Sequence, residues 1–164
     1  MKRVIQRRVN NQKRKGMKVL LAIDDSIFSE AAIRMLVAQN QPGKVTVRVL
    51  HVVEPLETPY YPDLTPPYPI SLNDIRKKRM NAGRELAARA AETVRAAGYK
   101  VESAVRLGHV RTTVVDAAIQ WHADLIVVGS HGRKGVKRIL LGSVSDYVAR
   151  HAPCSVQIVR VRKR

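Results

Sequence analysis

The sequence contains a single cysteine, Cys154, and among its 164 residues only one Trp and one Phe. One cysteine cannot form an intrachain disulfide, so we expect Cys154 to be a packed small side chain rather than a reactive thiol. With so few aromatic residues, the core must consist mainly of Val, Ile, Leu and Ala. That composition is typical of a parallel sheet flanked by alanine-rich helices.

Long apolar runs are also missing. No segment approaches the roughly 20 apolar residues that cross a bilayer, and the first residues lack the apolar stretch of a secretory signal. These absences predict a cytoplasmic protein. The sequence shows no Ser-His-Asp array, no Cys/His metal spacing and no pair of catalytic acids, which argues against a dedicated enzyme.

The charge is one-sided, with 30 Lys and Arg against 13 Asp and Glu. Residues 1–16 hold seven cations and no acid, and residues 160–164 hold four more. We therefore predict a basic tail at 1–16, one folded domain at 17–161 and a basic tail at 162–164. Two alternatives stay open for the first segment: an acid-free, Arg-rich start is also typical of an organelle transit peptide, and Met17 is a second candidate start.

The pattern within the domain alternates strands with helices. It predicts strands at 17–23, 45–53, 99–107, 125–128 and 154–161, with helices at 27–39, 73–97, 110–121 and 143–151. Residues 54–72 hold six of the eight prolines and are expected to form an extended loop. Short connections between alternating elements predict an open α/β fold, a five-stranded parallel sheet with helices on both faces.

The motif that carries most chemical information is the loop after the fourth predicted strand. Gly129-Ser130-His131-Gly132 is followed by Gly142-Ser143 and a predicted helix. Glycines can take positive φ and admit an anion close to backbone amides, and a helix N-terminus attracts negative charge, so the loop predicts a phosphate cradle. Ser143 and Ser145 would add hydroxyl donors. His131 and the cations at 133–138 either favour a polyphosphate or are merely solvated.

The spacing Gly129, Gly132, Gly142, Ser143 resembles the ATP-binding branch of the universal stress protein family, whose motif is a Gly, two residues, a Gly, nine residues, then Gly-Ser or Gly-Thr. The resemblance covers roughly residues 17–161 and includes the strand ending in Asp24. It implies an adenine nucleotide alpha-hydrolase-like, Rossmann-like sheet of order 3-2-1-4-5. It also implies ATP, ADP or AMP as a regulatory ligand, with or without Mg²⁺, at most slow ATP hydrolysis, and a homodimer formed through the last strand.

The resemblance further implies a set of nucleotide-binding residues. Asp24 would bind the ribose hydroxyls or lie close to adenine, although it could instead only cap the first helix. Asp25 stands where many relatives carry glycine or an apolar residue. The remaining residues are Ala22 lining the base pocket, Val52 holding adenine through its backbone, Val128 against the ribose, and Gly129, Gly132, Gly142, Ser143, Val144 and Ser145 around the phosphates.

An alternative function follows from the charged ends. Basic tails attract polyanions by counterion release, without sequence selectivity. The chain could thus be an RNA-binding accessory protein that acts through its termini. The sequence has no aromatic RNA-binding platform and no helix-turn-helix signature, so it does not predict sequence-specific recognition.

Overall fold

The computed structural model describes residues 16–39, 42–56, 72–132 and 141–161. Both basic tails apart from Gly16, most of the predicted proline-rich loop and the cations at 133–138 lie outside the described residues. Predictions about them therefore stay predictions.

Five parallel strands form one sheet of order β3-β2-β1-β4-β5, which confirms the predicted fold class and strand order. The strands are β1 (Met17–Ile23), β2 (Val45–Val53), β3 (Lys100–Leu107), β4 (Leu125–Gly129) and β5 (Ser155–Val159). The helices are α1 (Ile27–Gln39), α2 (Leu72–Ala96), α3 (Val110–Trp121) and α4 (Ser143–His151), with a short 3-10 turn at Pro42–Lys44. Of the described helices, none combines the length and apolar composition needed to cross a membrane.

The helices cover both faces of the sheet and divide the core in two. One cluster packs residues of β1 and β2, such as Val19 and Val47, against α1 and α2. The other packs Leu20, Leu50 and Ile126 against α3 and α4. Aliphatic and alanine side chains make up nearly all of both clusters, as the scarcity of aromatic residues predicted.

The ends of α2 and β5 differ slightly from the sequence prediction. Gly98 has a φ of +90°, its amide donates to the Arg95 carbonyl, and the Tyr99 amide donates to the Val94 carbonyl. This pair of bonds is a Schellman motif that ends α2. It occupies the Tyr99 amide, so β3 begins at Lys100. Strand β5 is shorter than predicted and ends at Val159 because β4, its partner, ends at Gly129.

Candidate functional site

A cavity of about 370 Å³ opens at the carboxyl ends of the strands, where the strand order reverses between β1 and β4. Ligands of open parallel sheets bind at this position. The structure brings all ten residues proposed from the sequence to this one cavity: Ala22, Asp24, Val52, Val128, Gly129, Gly132, Gly142, Ser143, Val144 and Ser145.

The apolar part of the cavity exists because a small side chain lies between two larger ones. Ala22 on β1 is in register with Leu50 on β2 and with Val128 on β4. In-register neighbours of a parallel sheet point to the same face, so the alanine leaves a hollow between its two neighbours. Val110 and Val114 of α3 also line the cavity. Sequence reasoning assigned these two valines to the helix without a site role, since only the packing of α3 brings them there.

Asp24 lines the cavity and also forms hydrogen bonds that hold the start of α1. Its Oδ1 accepts hydrogen bonds from the Ser26 amide at 3.1 Å, the Ser26 hydroxyl at 2.5 Å and the Ser29 hydroxyl at 2.7 Å. The cap of α1 is Ser26, whose hydroxyl accepts from the Ser29 amide. Asp24 supports that cap and is held in one orientation by it. Ser29 lines the cavity too, a role that the sequence did not suggest.

The glycines of the loop provide space rather than unusual backbone angles. None of Gly129, Gly132 and Gly142 has a positive φ, so the positive-φ rationale was wrong. A Cβ added to Gly129 would lie 2.7 Å from the Cβ of Phe28 on α1, and one added to Gly132 would lie 2.7 Å from Asp24 Oδ2. The loop therefore approaches α1 and Asp24 more closely than any residue with a side chain could.

Backbone hydrogen bonds join the two ends of the loop. The Gly142 amide donates to the Ser130 carbonyl at 2.8 Å, and the Ser130 amide donates to the Val159 carbonyl at 2.7 Å. The buried Ser145 hydroxyl lies 2.9 Å from the carbonyl oxygens of both Ser130 and Gly142 and donates to them. Ser145 thus positions the loop, and a bond from its hydroxyl to a ligand stays a prediction.

The first turn of α4 faces the cavity with Gly142 as its N-cap, and among the described residues no side chain is seen to cap that turn. Such amides carry a partial positive charge and suit an anion. Ser143 is exposed at this turn, where its hydroxyl can reach a bound group.

Ionisable side chains complete the cavity wall. Glu54, His51 and His131 line it, and the His131 ring packs 5.2 Å from the Phe28 ring, centroid to centroid. Asp25 is exposed and does not line this cavity. Within the described part of the chain, no group of three or more His, Cys, Asp or Glu side chains could hold a metal ion.

Comparison with known proteins agrees with the resemblance inferred from the loop. Residues 17–160 match the profile of the Universal stress protein family. A universal stress protein of Synechocystis is 30% identical over 149 residues, which cover 87% of this chain and 97% of the relative. One from Thermus aquaticus is 33% identical over 143 residues, covering 87% of this chain and 97% of that protein.

Solved structures show the same fold. The UspA protein of Lactobacillus plantarum has a TM-score of 0.74 at 25% identity, covering 90% of this chain and 99% of its own. More distant members were solved with nucleotides: an Arabidopsis thaliana protein with AMP, one in complex with cAMP, and one from Archaeoglobus fulgidus with dAMP, at TM-scores of 0.65, 0.64 and 0.59. Their identities of 18%, 22% and 21% and coverages of 89% of this chain establish shared architecture. From its sequence match and its fold, this chain belongs to the universal stress protein family.

Proposed function

We propose that this protein binds an adenine nucleotide, with ATP as the expected species, in the cavity at the carboxyl edge of the sheet and uses it as a regulatory ligand. The observation that carries the proposal is the division of one cavity into two kinds of wall. Ala22, Val52 and Val128 offer an apolar surface for a base and sugar, and the glycine loop with the start of α4 offers backbone amides for phosphates.

The size of the cavity agrees with this assignment. Small-molecule sites have volumes of roughly 300–1,000 Å³, and about 370 Å³ lies near the lower end of that range. A mononucleotide is therefore a better match than a dinucleotide. Family members solved with AMP, cAMP and dAMP show that this fold accommodates ligands of that class.

The arrangement favours binding over rapid chemistry. Bound ATP carries a reactive phosphoanhydride, and phosphoryl transfer ordinarily needs a positioned metal and a group that orients water. The carboxylate of Asp24 is held by Ser26 and Ser29 through Oδ1, and the described residues offer no three-ligand metal site. We therefore expect any Mg²⁺ to arrive with the nucleotide, and any hydrolysis to be slow.

The experiment is direct. The purified full-length chain is denatured, and released nucleotides are separated and identified. The emptied protein is then titrated calorimetrically with ATP, ADP and AMP, with and without Mg²⁺, with GTP as the control for the base. Released adenine nucleotide, or ATP binding that exceeds GTP binding, supports the proposal. Absence of both contradicts it.

A homodimer through β5 is a second part of the proposal. β5 lies at the sheet edge and pairs with β4 alone among the described strands. The Val159 carbonyl points to β4, where it accepts from Ser130. Because successive residues of a strand alternate in direction, the amide of Ile158 points outward and is available to a second copy.

Ile158→Pro removes this outward amide and leaves the bonds to β4 in place, since proline is tolerated at an edge. We expect the variant to elute as a monomer in chromatography with light scattering, with an unchanged far-ultraviolet spectrum. A wild-type chain that is monomeric at all concentrations, or a folded variant that remains dimeric, would contradict pairing through β5. Polyanion contact through the basic tails and a cytoplasmic location stay predictions.

A further inference from the structure

Helix α2 extends well beyond the sheet that it packs on. Its first buried residue is Gly83, and a Cβ added there would meet side-chain atoms of His51 and Val53 near the end of β2 and of Val105 near the end of β3. The eleven residues from 72 to 82 precede this contact and extend the helix beyond it, over a helical length of roughly 16 Å at 1.5 Å per residue. We call these residues the α2 arm.

The α2 arm carries four consecutive cations, Arg76, Lys77, Lys78 and Arg79. The first three are exposed and Arg79 is half-buried. Among the described residues, no ion pair joins any of the four to a carboxylate. Asp74 is the single acid of the arm.

Four other exposed arginines of the described helices have polar partners. Arg34 lies 3.7 Å from Glu30, Arg84 donates to Asn81 at 2.8 Å, and Arg95 and Arg150 pair with acids one turn away. Arg76 and Arg79 lie three positions apart in the helix, a spacing at which side chains are neighbours and like charges are unfavourable. The arm therefore concentrates four neighbouring cations that form no ion pair among the described residues, unlike those four arginines. Such conflicts between local preference and fold are expected at functional sites.

We propose that the α2 arm is a binding surface for the phosphodiester backbone of nucleic acid. Successive residues of a helix point about 100° apart, so the four cations surround the arm instead of forming one flat face. An extended polyanion can contact several sides of a projecting helix, whereas a membrane or a folded acidic protein meets one side only. The absence of aromatic residues from the arm indicates contacts to phosphates and not to bases.

The base of the arm offers a recessed position for one phosphate. A second cavity of about 240 Å³ is lined by Arg79 and Arg89, together with His51 and Asp25. Neither arginine forms an ion pair with a carboxylate of the described residues. The cavity is thus lined by two guanidinium groups and by one carboxylate, that of Asp25. This proposal is independent of nucleotide binding in the first cavity.

The test compares two full-length variants that lose the same charge. The arm variant carries Arg76→Gln, Lys77→Gln, Lys78→Gln and Arg79→Gln. The control variant carries Arg34→Gln, Arg84→Gln, Arg95→Gln and Arg150→Gln, at exposed positions with partners. Glutamine has a helix propensity close to that of Lys and Arg, so both variants should fold, as thermal unfolding will check.

Binding of oligouridine and oligothymidine is measured by fluorescence anisotropy across a salt series. Each lost phosphate contact lowers the slope of log K against log salt by about 0.7 for single strands, so the arm variant should lose about 3 and bind about tenfold more weakly or worse at low salt. The control should lose less than about 1. A loss with oligouridine alone would assign the surface to RNA, and a loss with both to either nucleic acid.

Equal losses in the two variants would show that only net charge matters, and the proposal would be wrong. It would also be wrong if the folded arm variant kept its affinity for both oligonucleotides. Loss of binding to phosphatidylserine vesicles with oligonucleotide binding intact would assign the arm to membranes and overturn it as well.

Discussion

Adding one methyl group at Gly132 tests the placement of the ligand cradle. In Gly132→Ala the new Cβ would lie 2.7 Å from Asp24 Oδ2, which is closer than non-bonded carbon and oxygen atoms approach. Either the carboxylate turns away or the loop retreats from β1. Both movements change the wall of the cavity that we assign to the nucleotide.

The magnitude follows from what holds Asp24. Turning its carboxylate disturbs the bonds that Oδ1 accepts from the Ser26 amide, the Ser26 hydroxyl and the Ser29 hydroxyl. A hydrogen bond to a charged group contributes about 1.5–3 kcal/mol. A loss of that size weakens binding by roughly tenfold to one hundredfold. We expect ATP affinity to fall within this range.

The assay is calorimetric titration of emptied protein, with Gly43→Ala as the matched control. A Cβ at Gly43 would meet no atom within 4 Å. The binding free energy of this variant should therefore change by much less than the roughly 1.4 kcal/mol that corresponds to a tenfold change in affinity, and it should bind ATP within about twofold of the wild type. Thermal unfolding without nucleotide shows whether either variant has lost its fold. Unchanged ATP affinity in a folded Gly132→Ala variant, or equal losses in both variants, would refute the placement of the cradle.

Three further changes test the packing and the site. Ala22→Leu extends a side chain into the hollow of the cavity. It should lower ATP affinity at least about tenfold in titrations, a loss of roughly 1.4 kcal/mol of binding free energy. Unchanged binding would exclude Ala22 from the site. Gly83→Ala places a Cβ 2.8 Å from His51 Cδ2. Denaturant unfolding should therefore show a free energy of unfolding lower by about 1–3 kcal/mol, although alanine has the better helix propensity. Burial raises the pKa of the Cys154 thiol. The rate of its alkylation should therefore still increase with pH above about 8.5, the usual pKa of a thiol. A rate that becomes constant below that pH would contradict the raised pKa.

Much of the architecture follows from local patterns in the sequence. Apolar runs bounded by Asp, Gly and Pro located the strands, and Gly98 marked the end of α2, where the structure shows a positive φ. Alternation of strands with helices then implies a parallel sheet, because right-handed crossovers place each helix on a face. The spacing of Gly129, Gly132 and Gly142 identified the loop that the structure places on the cavity.

The physical reason why glycine is required at these positions could not be predicted from the sequence. Positive φ is a property of a single residue and can be guessed from its type, but here the requirement is space beside Phe28 and Asp24. Only the packing of α1 against the loop creates that requirement. Ser145 is a similar case, since its hydroxyl bonds to a carbonyl fifteen residues away.

The sequence by itself thus determined the elements, their alternation and the glycine loop that reaches the cavity, because these follow from periodicity and residue spacing within a few turns of chain. The tertiary structure decided which side chains form the cavity. Ala22 between Leu50 and Val128, the valines of α3 and the projection of α2 past the sheet edge all depend on register and packing between distant segments. No local pattern encodes those distances.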